Sequence, residues 1–125
     1  MFFERKQVEL YLKKQYAGVF DEQSIAFHIE NHVGFGFSEG ILPWVAEHTP
    51  AGGRVLDIGA GFGAFVIAAR RLGLDAVGIE LAAYEVDYAC ERLEHELPGS
   101  NPKDIFYLGD GHELPFDDEF FDSVT

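Results

Sequence analysis

The sequence has a single cysteine, Cys90, and no long apolar run. One cysteine excludes an internal disulfide framework, and no C-x-x-C or cysteine–histidine cluster with metal-site spacing accompanies it. A reducing, cytoplasmic setting fits this usage. The N-terminal MFFERKQVEL has charges where a signal peptide needs its apolar segment, and nothing approaches the roughly 18 apolar residues of a membrane span. The sequence therefore predicts a soluble cytoplasmic protein.

Basic side chains are also scarce. Nine Lys and Arg stand against 22 Asp and Glu, for a formal net charge of −13. This charge repels phosphate backbones and anionic lipid headgroups, so a nucleic-acid or membrane-surface role is disfavoured. By contrast, 47% of the residues are hydrophobic and 14% aromatic, in a chain of 125 residues. Such a chain is large enough to fold as one domain with a real core.

Residues 1–53 predict a helical segment that caps or covers a second part of the chain. Apolar residues at helical spacing predict helices over residues 2–16 and, more weakly, 21–32. The glycines in VGFGFSEG indicate a loop, and a third helix is expected from a capping Ser38 to about His48. This helix should tolerate Pro43 only in about its first turn, where backbone N–H groups lack partners.

Residues 54–125 alternate between strand and helix patterns. Strands are predicted at residues 54–58, 75–79, 104–108 and 121–125, and helices at residues 64–72 and 82–97. Strands separated by helices of this length pair in parallel through right-handed crossovers. The fold class is therefore α/β, a doubly wound parallel sheet, preceded by the N-terminal helices. Cys90 lies on the apolar face of the last helix and is interpreted as a core residue.

The stretch VLDIGAGFG, residues 55–63, carries glycines at positions 59, 61 and 63 between a predicted strand and a predicted helix. Glycine removes the side chains that would keep a ligand away from the backbone, and it adopts positive φ. Glu80 closes the second strand and Asp110 follows the third, so both acids should meet the loop at the carboxyl edge of the sheet. An acid such as Glu80 can bind both hydroxyls of a ribose.

Two nucleotide-derived cofactors fit this pattern, a dinucleotide and S-adenosylmethionine. The dinucleotide fingerprint G-x-G-x-x-G could be placed on Gly59, Gly61 and Ala64 only as a variant. Asp57, two residues before the first glycine, would lie close to a diphosphate but suits the sulfonium and amino groups of S-adenosylmethionine. Charge therefore favours S-adenosylmethionine, with an NAD(P)-binding oxidoreductase domain as the alternative.

From residue 54 to 125 the sequence resembles the class I, Rossmann-like, S-adenosylmethionine-dependent methyltransferases. Their pattern of an acid, any residue and G-x-G-x-G is matched from Asp57 to Gly63, and GDGHELPFDDEFFDSVT resembles their stretch into the fourth strand. The resemblance implies a strand order of 3-2-1-4 and a set of cofactor-binding residues. That set is Asp57, Gly59, Ala60, Gly61, Gly63, Glu80, Leu81, Asp110, Gly111 and His112.

In this resemblance Glu80 holds the ribose, Leu81 packs on the adenine and Asp110 accepts from its amino group. The Gly111–His112 backbone then faces the ring edge. The expected acceptor is a small molecule, and no catalytic residue is assigned. The family's sheet has seven strands and four are predicted here, so a fragment of a longer enzyme is expected, whose uncovered fourth strand could self-associate. A non-catalytic module completed by a partner chain is a further alternative.

The segment HIENH places His28 and His32 on one helical face, as in some metal sites. A zincin needs glutamate directly after the first histidine, and no third ligand is evident. The sequence therefore predicts no metal site. His48 and His95 are interpreted as exposed helix positions.

Overall fold

The computed structural model describes residues 4–125, in which three helices precede a four-stranded sheet. The helix predicted over residues 2–16 includes residues 2 and 3, which lie outside the described residues. The helices are α1 (Arg5–Tyr16), α2 (Glu22–Val33), α3 (Gly36–Glu47), α4 (Ala64–Arg71) and α5 (Ala83–Glu96). The strands are β1 (Arg54–Ile58), β2 (Asp75–Glu80), β3 (Phe106–Leu108) and β4 (Ser123–Val124), with a 3₁₀ turn at Pro102–Asp104.

The sheet is parallel, with the order β3-β2-β1-β4. This confirms the predicted fold class and strand order. Leu56 of β1 is paired with Val77 of β2 on one side and with Val124 of β4 on the other. Strand β1 is therefore central, and the loop that follows it opens in the middle of the carboxyl edge, where ligands of open α/β sheets bind.

Two apolar clusters hold the chain together. The larger lies between the sheet and helices α3 to α5 and includes Val55, Val66 and Leu93, each fully buried. The smaller joins helices α1 and α2 to Phe62 of the glycine loop, which is 2% exposed. Helices α1 and α2 therefore pack on the loop, whereas α3 belongs to the larger cluster.

Helix α3 corrects two sequence-based expectations. It begins at Gly36, so Ser38 is not its cap but lies in its first turn, where Oγ donates to the carbonyl of Phe35 at 2.7 Å. Pro43 lies past the middle of this 12-residue helix, not in its first turn. The missing N–H leaves the carbonyl of Glu39 without its helical donor. Glu39 lies on an exposed stretch, where water can bind that carbonyl.

Strands β3 and β4 are shorter than predicted. The 3₁₀ turn at Pro102–Asp104 takes up the start of the expected third strand. Before β4, the ring of Phe120 lies under the guanidinium of Arg54 at 4.2 Å, and the carboxylate of Asp122 accepts from the Arg54 N–H at 2.8 Å. Side chains as well as ladder hydrogen bonds therefore attach this segment to β1. Among the described residues, no helix is long and apolar enough to cross a membrane.

Candidate functional site

The loop between β1 and α4 contains three glycines with positive φ, at 76° for Gly59, 55° for Gly61 and 83° for Gly63. They serve two purposes. A Cβ on Gly63 would lie 2.7 Å from the ring of Phe106, so this glycine is required for close packing. A Cβ on Gly59 would meet no atom within 4 Å, and one on Gly61 would meet only Glu85 Oε1 at 3.5 Å. The first two glycines therefore leave the loop open to a ligand.

The backbone N–H groups of residues 59–61 in this loop are already engaged within the protein. The N–H groups of Gly59 and Ala60 donate to the carbonyl of Ile79 at 2.9 and 3.1 Å. That of Gly61 donates to Glu80 Oε1 at 3.1 Å. A diphosphate bound at a glycine-rich turn depends on free N–H groups. These three positions offer it none.

Glu80 ends β2 beside the loop. Its Oε1 accepts from the Gly61 N–H, and its Oε2 accepts from the Ala82 N–H at 2.8 Å. These bonds orient the half-buried carboxylate and leave further lone pairs on both oxygens. Vicinal hydroxyls could donate to them.

A cavity of about 380 Å³, here called the adenosine-side cavity, opens on the β2–β3 side of the loop. Its walls include Glu80, Leu81, Asp110, Gly111 and His112, so the structure brings these sequence-predicted residues together. Leu81 is 69% exposed, which leaves an apolar face available to a flat ring. Asp110 accepts from the His112 N–H at 2.9 Å, and this bond lowers the Asp110 pKa.

A second cavity of about 290 Å³, here called the helix-side cavity, opens on the other side of the loop. Asp57, Gly59, Ala60 and Gly61 form one wall. Helices α2 and α3 contribute His32, Phe37, Ser38 and Ile41 to its lining. Gly59 lines both cavities, so the two meet over the loop.

Asp57 points its carboxylate into an environment that disfavours its charge. Burial raises its pKa to about 6, against an ordinary value of 3.8. The Thr125 hydroxyl, which donates to Asp57 at 3.0 Å, opposes this shift, and the charge of Glu80 adds to it. A cationic group placed in the helix-side cavity would favour the ionised form.

Glu85, on the first turn of α5, was missed by the sequence reasoning. It accepts a 3.0 Å hydrogen bond from the Tyr11 hydroxyl, and burial followed by the charge of Glu80 raises its pKa. Asp57, Glu80 and Glu85 thus place three carboxylates around the loop. The role of Glu85 could not be predicted from its residue type or its position in the sequence. Its approach to the loop depends on how α5 packs.

The helical histidines belong to an aromatic cluster. The rings of His28 and His32 lie 5.9 Å apart, and His32 also contacts the rings of Phe37 and Phe62. Within residues 4–125 no group of three or more histidine, cysteine, aspartate or glutamate side chains is arranged to hold a metal. His48 and His95 are exposed, whereas Cys90 is half-buried against the main core.

Residues 56–125 match a family described as a methyltransferase domain. The match covers more than half of the chain and includes the glycine loop, Glu80 and Asp110. The chain belongs to the class I S-adenosylmethionine-dependent methyltransferases. The family membership stated from the residues is therefore confirmed, and it disfavours the dinucleotide alternative.

Relatives within the methyltransferases carry different names. The chain is 35% identical over 77 residues to a demethylmenaquinone methyltransferase of Roseiflexus castenholzii, covering 61% of this chain and 30% of that one. It is 33% identical over 98 residues to a ribosomal protein L11 methyltransferase of Bordetella parapertussis, covering 66% and 32%. The chain thus spans about a third of the length of these curated relatives.

The magnesium protoporphyrin IX methyltransferase of Synechocystis PCC 6803, solved with bound S-adenosylmethionine, has a similar fold. The TM-score is 0.64 at 18% identity, covering 99% of this chain and 61% of that one. At this identity the likeness shows the fold alone. It extends over the N-terminal helices as well as the sheet.

Proposed function

We propose that this chain binds S-adenosylmethionine across the two cavities and forms the cofactor-binding part of an enzyme that methylates a small molecule. One observation carries the choice of cofactor. The loop is surrounded by Asp57, Glu80 and Glu85, while its N–H groups at residues 59–61 donate within the protein. Carboxylates around a loop whose first three N–H groups are already engaged favour a sulfonium over a diphosphate.

Each part of the cofactor has a proposed place. The adenine lies in the adenosine-side cavity on Leu81, with Asp110 and the Gly111–His112 backbone at its edge. The ribose hydroxyls donate to Glu80. The methionine part crosses Gly59, Ala60 and Gly61 into the helix-side cavity, towards Asp57, while Gly63 maintains the turn by packing. Family membership and the shared edge of the two cavities support this placement.

When bound, S-adenosylmethionine supplies a methyl group already activated by its sulfonium. The chain's own residues therefore need to position and enclose it rather than activate it. The loop and Glu80 set its orientation, and helices α2 and α3 cover the helix-side cavity and exclude water. The N-terminal segment 1–53 acts as a lid on the cofactor part 54–125.

The proposed acceptor is a small molecule rather than a nucleic acid. The chain carries a net charge of −13, and neither cavity has a lysine or arginine among its lining residues. Phe37, Ile41 and Phe65 give the helix-side cavity apolar walls that suit an uncharged acceptor. When S-adenosylmethionine with a labelled methyl group is incubated with the chain and a cell extract, the label should enter the small-molecule fraction. Label confined to precipitated protein would contradict this acceptor class.

Calorimetric titration tests cofactor binding without an acceptor. The chain should bind S-adenosylhomocysteine and not NAD⁺; binding of NAD⁺ alone would overturn the proposal. Gly61→Arg should abolish binding, because its side chain would fill the space over the loop. Gly18→Arg is the matched control, since Gly18 also has positive φ, at 76°, with no atom within 4 Å of an added Cβ and a position far from both cavities.

A further inference from the structure

The helix-side cavity has two ionisable side chains among its lining residues, Asp57 and His32. Asp57 belongs to β1 and His32 to α2, so the two side chains reach the cavity from different elements. The remaining walls are glycine, alanine, apolar side chains and two hydroxyls. A ligand with one cationic and one anionic end therefore meets a suitable partner for each end in this cavity.

Several hydroxyl and backbone donors near His32 are already in use. Ser38 Oγ donates to the Phe35 carbonyl at 2.7 Å, and Thr125 Oγ1 donates to Asp57 at 3.0 Å. The N–H groups of residues 59–61 donate to Ile79 and Glu80. Of the two ionisable side chains that line the cavity, the His32 imidazole is the one whose chemistry suits an anion.

Contacts on several sides hold the His32 imidazole in place. Its Nε2 lies 3.2 Å from the Tyr16 hydroxyl, and its ring packs edge-on against Phe62 and Phe37, with centroids 5.6 and 5.2 Å away. The His32 backbone is fixed as well, because its carbonyl accepts from Arg92 Nη1 at 3.1 Å. A donor positioned in this way loses little conformational freedom when it binds a ligand.

The hydrogen-bond partner of Nε2 determines which ring nitrogen carries the hydrogen. Burial raises the Tyr16 pKa, so its hydroxyl stays protonated and can donate to Nε2. In the tautomer in which Nε2 accepts this bond, the hydrogen lies on Nδ1, which has no hydrogen-bond partner among residues 4–125. Burial, followed by the neighbouring His28, lowers the His32 pKa, so at neutral pH the imidazole is neutral and carries one N–H.

We propose that His32 binds the carboxylate of the cofactor's amino-acid part, while Asp57 faces its ammonium group. This inference rests on the proposed function, since it assumes that the methionine part occupies the helix-side cavity. It makes helix α2 a component of the cofactor site and not only a cover. A carboxylate bound there also stabilises the protonated imidazole, which strengthens the contact.

The carboxylate contact can be distinguished from the other contacts by comparing the binding of two compounds related to the cofactor. S-adenosylhomocysteine carries the amino acid, whereas 5′-methylthioadenosine has the same adenine, ribose and thioether without it. Both are titrated into the 125-residue chain and into His32→Phe, which keeps an aromatic ring against Phe62 and Phe37 but removes the donor. We expect the dissociation constant for S-adenosylhomocysteine to rise about 10- to 100-fold, as for a lost hydrogen bond to a charged group. That for 5′-methylthioadenosine should stay within about twofold.

His28→Phe is the matched control, because it makes the same change one helical turn away in the same aromatic cluster, outside the cavity lining. It should alter neither affinity. His32→Gln retains an N–H donor and should recover part of the S-adenosylhomocysteine affinity. It also keeps the test decisive if the phenylalanine variant folds poorly.

The possible failures are distinguishable. If the unmodified chain binds neither compound, the proposed function is overturned. If it binds both and His32→Phe weakens them equally or not at all, the carboxylate contact alone is overturned. If His28→Phe lowers the affinity for S-adenosylhomocysteine as much as His32→Phe does, the carboxylate contact is likewise overturned. The loss would then come from the packing of the aromatic cluster rather than from His32.

Discussion

The hydroxyl of Tyr11 donates a 3.0 Å hydrogen bond to Oε2 of Glu85, joining the first helix of the chain to the helix that follows β2. The Tyr11 ring stacks on Tyr84 at 4.3 Å and meets Phe62 of the glycine loop edge-on at 6.1 Å. Glu85 in turn lies beside Gly61. Helix α1 is therefore coupled to the loop by packing and by a carboxylate next to it.

Tyr11→Phe should lower the free energy of unfolding by about 1 kcal/mol, because a half-buried carboxylate loses a donor. Urea denaturation measures this change. Tyr107→Phe removes a comparable hydroxyl from an exposed bond to the Asp104 carbonyl and should have a smaller effect. Equal losses in the two variants would show that the Tyr11 bond has no special role.

Glu80→Gln should weaken S-adenosylhomocysteine binding by about 1.5–3 kcal/mol, the range for hydrogen bonds to a charged group. The amide keeps the side chain's size but loses the charge that the ribose hydroxyls and the Gly61 and Ala82 N–H groups face. Calorimetry measures the affinity. The exposed Glu94→Gln on α5 is the control, and unchanged binding in Glu80→Gln would remove Glu80 from the site.

Gly63→Ala should destabilise the fold more than Gly18→Ala. Both positions have positive φ, so each alanine incurs a backbone penalty of about 1–2 kcal/mol. Only at Gly63 does the new Cβ also collide with Phe106, at 2.7 Å, and with Ala89, at 2.9 Å. Such overpacking adds about 1–3 kcal/mol. Similar melting temperatures for the two variants would contradict the packing role of Gly63.

The raised pKa of Asp57 predicts a pH-dependent effect of Asp57→Asn. With a folded pKa of about 6 against 3.8, the folded chain binds more protons than the unfolded chain between these values. The stability contribution of Asp57 is thus fully present below about pH 4 and lost as pH rises through about 6. Relative to the unmodified chain, Asp57→Asn should gain on the order of 2–3 kcal/mol between pH 4 and 7.

Urea unfolding at pH 4, 5.5 and 7 measures this gain, with the exposed Asp118→Asn as control. The same pH trend in both variants would assign the effect to general charge rather than to Asp57. If the proposed function holds, a cation bound beside Asp57 favours its ionised form. Binding of S-adenosylmethionine should then weaken below about pH 6. Above that pH, binding should release few protons, because Asp57 is already ionised.

Arg92 fixes the end of helix α2. Its guanidinium donates to the carbonyls of His32, Val33 and Gly34 at 2.9–3.1 Å and lies 4.4 Å from the ring of Phe35. Arg92→Met should cost about 2–4 kcal/mol and speed hydrogen exchange in α2, since three half-buried carbonyls lose a charged donor. Arg71→Met, which removes a more exposed guanidinium paired with Glu96, is the control. Unchanged hydrogen exchange in α2 of Arg92→Met would contradict this role of Arg92.

The strands and the loop could be predicted because their determinants are local. Residues 54–58 form β1 as expected, and Gly59, Gly61 and Gly63 all adopt the positive φ that only glycine accepts readily. The acids Glu80 and Asp110 could be placed at the carboxyl edge because parallel strands end on the same side. The bounds of helix α3 were harder to predict. Packing against neighbouring elements, and not Ser38 or Pro43, decided where this helix begins and how far it continues.

Glu85 and His32 show what local pattern could not supply. Nothing in their sequence neighbourhoods distinguishes Glu85 from other helical acids, and His32 was considered only as a metal ligand. Their positions beside the loop depend on contacts between residues far apart in the chain, such as Tyr11 with Glu85 and Arg92 with His32.

By itself, the sequence determined the α/β class, the strand order expected from its family resemblance and the glycine loop with its flanking acids. The class and the loop follow from hydrophobic periodicity and from the backbone geometry that glycine permits, whereas the strand order was implied by the resemblance. Only the tertiary structure decided that helices α1 and α2 pack on Phe62 and that α2 and α3 line the helix-side cavity. Burial and the charge of Glu80 raise the pKa values of Asp57 and Glu85, and both effects arise only when the chain is folded.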